Sequence, residues 1–142
     1  MDEHIKTLAD LMTTSRYTVA LTGAGISTSA GIPDFRGERG IYITRQYDPE
    51  KTFDITSFQR DPSSFYAFTR DFFDQFKTFQ PTPAHRFLAL LEAAGLLHFI
   101  ITQNIDGLHH AAGSQHVVEL HGSYRTGRCL SCGAERDLAW IE

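Results

Sequence analysis

Apolar positions in this 142-residue chain occur either at helical spacing or in short continuous runs, a mixture that predicts an α/β fold. Apolar residues between Ile5 and Met12 recur at helical spacing and predict an amphipathic helix over residues 3–15. The next apolar segment, Thr18–Leu21, has the length of a strand. The pattern therefore places a helix before the first strand.

Two further helices begin with a capping residue followed by proline. Asp61–Pro62 starts an aromatic helix that should end near Phe79, and Thr82–Pro83 starts a helix that Gly95 should stop. Residues 40–51 show no clear period and predict an irregular or partly helical segment.

Two strands are predicted in the last third of the chain. Leu97–Thr102 is a continuous apolar run, as expected for a parallel strand covered on both faces, and Val117–Leu120 is a shorter one. Because ligands collect at the carboxyl ends of parallel strands, Gly23, Gln103 and His121 are expected to converge.

A glycine turn follows the first strand. Gly23 and Gly25 would let peptide N–H groups approach a phosphate. The usual dinucleotide fingerprint needs a glycine where this chain has Thr28, so the glycines alone fit any strand-to-helix turn equally well. The loop that follows, Ile32–Gly37, adds an acid, an aromatic ring and a guanidinium.

Composition and charge bear on whether nucleic acids or membranes are expected as partners. The net charge is −4 and the Lys and Arg residues are scattered, so direct nucleic-acid binding is not expected. No apolar run approaches the roughly 18 residues that span a bilayer, and the first ten residues lack the layout of a signal peptide. These features predict a cytoplasmic protein without a membrane partner.

Three ordered motifs, at residues 19–37, 102–109 (TQNIDGLH) and 119–122 (ELHG), together closely resemble the sirtuin family of NAD-dependent protein deacylases, bacterial type. The resemblance covers nearly all of this chain but only the front half of a sirtuin catalytic domain, so a truncated chain is expected. It implies a partial Rossmann-like domain, doubly wound on a parallel sheet, over residues 1–122. The start of a small zinc-ribbon module is implied over residues 123–142.

The resemblance also implies an activity: NAD-dependent deacetylation of protein lysine, giving nicotinamide, O-acetyl-ADP-ribose and deacetylated lysine. An acetylated protein would be the partner, and NAD the co-substrate. His121 would be the general base and Asn104, beside the nicotinamide ribose, the second catalytic residue. The implied cofactor-binding residues are Gly23, Ala24, Gly25, Ser27, Ile32, Asp34, Phe35, Arg36, Gln103, Asn104, Ile105, Asp106 and His121.

Each of these residues has a plainer interpretation. His121 is one of seven histidines, most of which are expected at the surface or in packing. Asn104 and Asp106 could form an Asx turn, and Phe35 could belong to the core. Arg36 could serve as an ordinary surface ion-pair partner.

The two cysteines, Cys129 and Cys132, have the spacing of a zinc knuckle. Structural zinc takes four ligands, so the pair predicts half of a site, with a redox Cys-x-x-Cys as the competing interpretation. Sirtuins that prefer acidic acyl groups carry a Tyr-x-x-Arg pair. Here Tyr66 is followed by Thr69 in the arginine position, which favours plain acetyl-lysine.

Two other classes stay open. A nicotinamide-cofactor oxidoreductase would explain the glycine turn, although no acidic ribose-binding residue is convincingly placed after a second strand. A catalytically incompetent interaction module that depends on NAD or zinc would explain the front-half motifs. A sheet cut near its middle leaves an open strand edge, which would permit self-association.

Overall fold

The computed structural model describes residues 2–35, 37, 40–44 and 47–141. They form two compact units, one of Met1–Gly23 with Pro81–Glu142 and one of Ala24–Gln80. The helices are α1 (Glu3–Thr14), α2 (Ile41–Thr44), α3 (Pro49–Phe53), α4 (Ile55–Arg60), α5 (Ser63–Phe76), α6 (Pro83–Ala93), α7 (Leu108–Ala111) and α8 (Leu138–Ile141). The strands are β1 (Val19–Thr22), β2 (Phe99–Thr102), β3 (Val117–Glu119), β4 (Thr126–Arg128) and β5 (Glu135–Asp137).

The first unit is built on a parallel sheet with the strand order β1-β2-β3, which confirms the prediction of an α/β fold with a parallel sheet. Thr22 pairs with Thr102, and Thr102 pairs with Glu119. The three strands therefore end level with one another. The segments that follow them leave the sheet at the same edge, where a parallel sheet binds ligands.

The two faces of this sheet differ in burial. Ile100 and Thr102 are buried on one face, whereas Val19, Leu21 and Phe99 are exposed on the other, Leu21 by 68%. The prediction that β2 is covered on both faces is therefore wrong for the part of the chain that the structure describes. Among the described residues, the apolar side chains on one face of the sheet are exposed.

Helix α1 forms where the apolar spacing predicts it, and the side chain of Asp2 caps its first turn by accepting from the His4 N–H. Its apolar residues Ile5, Leu8 and Leu11 remain exposed. None of the helices described in this structure is both long and apolar enough to cross a bilayer.

Aromatic side chains hold the second unit together. Phe53 meets Phe68 edge-to-face with ring centroids 4.9 Å apart, and Tyr47 meets the same ring at 5.2 Å. Such pairs stabilise a small core beyond the area they bury. The Tyr47 hydroxyl also donates to Asp71 at 2.6 Å, which ties the segment before α3 to α5.

The last strands, β4 and β5, form an antiparallel hairpin. Gly133, at a φ of 71°, supplies the left-handed residue that its turn requires. The Leu138 N–H donates to the Arg125 carbonyl at 2.9 Å, so the end of the hairpin is fastened to the segment that precedes it.

Candidate active site at the carboxyl edge of the parallel sheet

Backbone hydrogen bonds bring the ends of β1 and β2 together. The Gln103 N–H donates to the Thr22 carbonyl at 3.0 Å, and the Asn104 side-chain amide donates to the Gly23 carbonyl at 3.2 Å. The Asn104 N–H donates to the Thr102 hydroxyl at 3.0 Å. Asn104 is thus fixed between Gly23 and the end of the central strand.

His121 joins this cluster from β3. Its Nδ1 lies 2.9 Å from the carbonyl oxygen of Gln103, and the side chain is otherwise exposed. Because a carbonyl oxygen can only accept, this hydrogen bond requires the Nδ1–H tautomer. In the neutral ring, the other nitrogen, Nε2, then carries the lone pair that can accept a proton from a ligand.

Asp106 is buried immediately beyond Asn104. One of its carboxylate oxygens accepts the N–H of Leu108 at 2.9 Å, and Gly107 between them has a φ of 69°. The Asx turn that sequence reasoning offered as the plainer interpretation is therefore present, and it starts α7. The neighbouring Ile105 is exposed.

A pair of buried imidazoles, His85 and His109, lies in the same unit, with ring centroids 4.6 Å apart. His109 Nε2 is 2.9 Å from the Thr22 hydroxyl, and His85 Nδ1 is 2.7 Å from the Thr82 hydroxyl in a capping box. Within the described residues, His85 Nε2 and His109 Nδ1 find no hydrogen-bond partner.

Burial, followed by the neighbouring His85, lowers the pKa of His109 to about 4. Burial also lowers the pKa of His85, against the opposing effect of the Asp106 carboxylate. From the sequence, both histidines were expected to be surface or packing residues. The Thr-x-x-His spacing of a capping box was the one signal that could have singled out His85.

Six of the predicted cofactor-binding residues belong to the second unit and are described within it. Ala24 and Gly25 lie in one 3-10 turn, and Ser27, fully buried, precedes another. Asp34 accepts the Gly37 N–H at 3.0 Å. The remaining two are Ile32, which is half-buried, and Phe35.

Of the two neighbouring candidates Phe35 and Arg36, the structure describes only Phe35. The Phe35 ring is 44% exposed and meets Phe53 edge-to-face, with ring centroids 5.8 Å apart. Arg36 lies outside the described residues.

The glycines of the first turn have open space around them. A Cβ added to Gly23 or Gly25 would meet no other heavy atom within 4 Å, and the positive φ of this segment belongs to Gly31 instead. Neither the packing nor the backbone conformation of the described chain requires glycine at these two positions. A ligand in close contact with the backbone would require it.

Cys129 and Cys132 lie in the turn of the β4–β5 hairpin and are both exposed. The Cys129 N–H donates to the Ala134 carbonyl, and the Gly133 N–H to the Cys129 carbonyl, each at 2.9 Å. Backbone N–H groups of Cys132 and then Ser131 lower the pKa of the Cys129 thiol. Among the described residues, no group of three or more potential ligands gathers around a metal site.

Comparisons with known proteins agree with the motifs. Residues 23–142 match the model of the Sir2 family. The chain is 44% identical to NAD-dependent protein deacylase 2 of Archaeoglobus fulgidus over 142 residues, which is 100% of this chain and 54% of that protein. It is 50% identical over 125 residues to an NAD-dependent protein deacetylase of Sulfurisphaera tokodaii, covering 88% of this chain and 49% of that protein.

A solved structure of Sir2 with a p53 peptide and NAD+ superposes with a TM-score of 0.83 at 43% identity, covering 95% of this chain and 52% of that chain. The chain spans about half the length of the relatives it matches.

Proposed function

Since the chain belongs to the Sir2 family, we propose that it carries the nicotinamide-ribose site of an NAD-dependent protein-lysine deacetylase. The observation that carries the proposal is the contact between His121 Nδ1 and the Gln103 carbonyl at 2.9 Å. It leaves Nε2 as the proton acceptor at the edge of the sheet, beside a fixed Asn104. A neutral imidazole whose Nδ1–H is held in this way can act as a general base through Nε2.

The proposed reaction uses NAD as a co-substrate. The acetyl oxygen of the lysine attacks the ribose carbon as nicotinamide departs, and His121 then accepts a proton from the ribose hydroxyl system. Attack by the 2′-oxygen and then by water gives O-acetyl-ADP-ribose and the free lysine. The residues of this chain would bind NAD, orient it and remove the proton from its ribose hydroxyl system.

The NAD contacts are proposed residue by residue. Gln103 contacts a ribose hydroxyl, Asn104 lies beside the nicotinamide ribose, and Asp106 binds the carboxamide. The open space at Gly23 and Gly25 supports a phosphate held against the backbone. The proposed set is completed by Ala24, Ser27, Ile32, Asp34, Phe35, Arg36 and Ile105.

The preference for plain acetyl-lysine is supported by α5. Tyr66 is exposed, but Thr69 one turn later is buried and its hydroxyl donates to the Tyr66 carbonyl at 3.2 Å. Thr69 offers no positive charge to pair with an acidic acyl group. Arg70 is displaced by about 100° around the helix from that position.

The finer features of the fold are also proposals: a doubly wound sheet and a zinc ribbon that starts at residue 123. Cys129 and Cys132 supply two thiolates, half of a closed tetrahedral zinc site. N–H groups that stabilise a thiolate, as at Cys129, favour metal binding over an inert thiol. Bound zinc would hold the hairpin turn together.

The zinc proposal predicts that Cys132→Ser abolishes zinc binding by this chain, because a hydroxyl is a poor replacement for a thiolate ligand. Competition with a chromophoric chelator measures the binding. Leu130→Ser is the matched control, since Leu130 is exposed in the same turn and is not a predicted ligand. Equal zinc affinity in Cys132→Ser and wild type would contradict the assignment.

The direct test of function is incubation of the chain with NAD and an acetyl-lysine peptide, with separation of the products by chromatography. Nicotinamide and O-acetyl-ADP-ribose are expected together. NAD binding without nicotinamide release would instead identify an interaction module. Formation of NADH with an alcohol substrate would identify an oxidoreductase.

Asp106→Asn is expected to lower kcat/KM for NAD by roughly 10- to 100-fold, the effect of losing a hydrogen bond to a charged group. Asparagine keeps an oxygen for the Leu108 N–H, so the helix start survives. Steady-state kinetics with NAD as the varied substrate measures the change. Asp10→Asn, exposed on α1, is the control, and an unchanged kcat/KM in Asp106→Asn would refute the contact.

A further inference from the structure

Arg125 forms an ion pair across the turn that carries His121. Its Nη2 donates to both carboxylate oxygens of Glu119, at 2.9 and 3.1 Å. Glu119 precedes His121 by two residues and Arg125 follows it by four. The pair therefore closes the turn from both ends, and the left-handed Gly122, at a φ of 79°, lies within the closed segment.

Arg125 is also held from other sides. Its Nε donates to the Ser123 hydroxyl at 2.9 Å, and its backbone carbonyl accepts the Leu138 N–H at 2.9 Å. A Cβ on Gly107 would lie 3.6 Å from Arg125 Nε, so the guanidinium stem packs on the loop that begins at Asn104. The next residue back, Tyr124, donates its N–H to the Ile105 carbonyl at 3.1 Å.

From this arrangement we infer that Arg125 is a positioning residue: by closing the turn onto Glu119, it keeps the His121 imidazole against the Gln103 carbonyl. The inference rests on the proposed role of His121 as the base. The guanidinium suits the task because its planar fork fixes orientation as well as distance. The Glu119 side chain is 15% exposed and that of Arg125 41%, so solvent screens the pair only in part.

Glu119 has a second neighbour in His110, whose Nε2 lies 4.0 Å from the carboxylate oxygen that Arg125 contacts at 2.9 Å. His110 does not bridge to the turn after His121. Loss of Arg125 would leave Glu119 a partner on α7 but would free the turn itself. The expected defect is therefore a loss of the His121 ring orientation, and not the cost of leaving the Glu119 carboxylate without a partner.

The test is nitrogen-15 NMR of the His121 ring in the full chain, which reports the tautomer directly. Wild type should show protonated Nδ1 and unprotonated Nε2. Arg125→Met should shift the ring signals toward the tautomer mixture of a free imidazole, and Arg125→Lys should restore part of the wild-type pattern. Arg136→Met is the matched control, because it removes the same charge from β5, where Arg136 stacks on Trp140.

Glu119→Gln should give the same spectrum as Arg125→Met, and the double variant should add little, because both changes remove one interaction. If Arg125→Met fails to fold by circular dichroism, Glu119→Gln carries the test alone. Wild-type His121 signals in a folded Arg125→Met or Glu119→Gln chain would overturn the inference.

A kinetic readout separates this inference from the proposed function. In active protein, Arg125→Met should lower kcat for peptide deacetylation about tenfold, as expected for a misplaced catalytic group, with little change in KM for NAD. A larger KM with an unchanged kcat would contradict a positioning role. Should wild type release no nicotinamide, the activity proposal fails, while the NMR comparison still decides the role of Arg125.

Discussion

His121→Ala is expected to lower the rate of peptide deacetylation by about 10²- to 10⁴-fold, the usual contribution of a general base. NAD affinity should change little, because alanine removes an exposed ring and keeps the backbone of the site, including the Gln103 carbonyl that the ring contacts. Quantifying deacetylated peptide by mass spectrometry, alongside calorimetric titration with NAD, measures both effects.

His4→Ala serves as the control, since His4 is exposed on α1. Full deacetylase activity in His121→Ala would remove the residue from the mechanism. Loss of NAD affinity with an unchanged rate at saturation would make His121 a binding residue instead.

The second large effect is on stability. His109 has a pKa of about 4 in the folded protein, against 6.5 for an ordinary histidine, because burial disfavours its charged form. Below about pH 6.5, His109 binds a proton in the unfolded chain but not in the folded chain. The stability from this group is complete above about pH 6.5 and is lost as the pH falls toward 4, by about 3 kcal/mol in all.

Urea unfolding at several pH values between 7 and 4 measures this loss. His109→Gln should flatten the pH dependence by that amount, because glutamine does not titrate. His4→Gln should leave it as in wild type. An equally steep pH dependence in His109→Gln would show that other groups, His85 first among them, carry the acid sensitivity.

The elements that could be predicted best from the sequence are those with a helix-capping residue or a strong apolar periodicity. Thr82–Pro83 marks the start of α6 because the threonine side chain accepts the His85 N–H, a purely local interaction. The aromatic helix begins at Ser63 and stops at Phe76, short of the predicted Phe79. Its end is closed by the Thr78 hydroxyl, which donates to the Gln75 carbonyl at 2.8 Å.

Apolar periodicity in the sequence did not predict the short helices. Helices α3 and α4 have five and six residues, too few to show a period. Asp48 and Asp54 cap them, and Asp48–Pro49 carries the same start signal as Thr82–Pro83. Local chemistry, rather than apolar spacing, was the usable signal here.

The level ending of the three parallel strands brings together the site residues of the first unit. Strand order and register follow from tertiary pairing, but the rule that ligands gather at one edge of a parallel sheet was sufficient to predict the meeting of Gln103 and His121. The buried His85–His109 pair could not be predicted, because it depends on how α6 and α7 pack.

The acceptor that sets the His121 tautomer is a peptide carbonyl, and every amino acid placed at position 103 would provide the same oxygen. Evolution can therefore exchange the side chain at that position, and retune what it touches, without changing which nitrogen is basic. Ligand contacts and the His121 tautomer can thus evolve independently at residue 103, the first through its side chain and the second through its backbone.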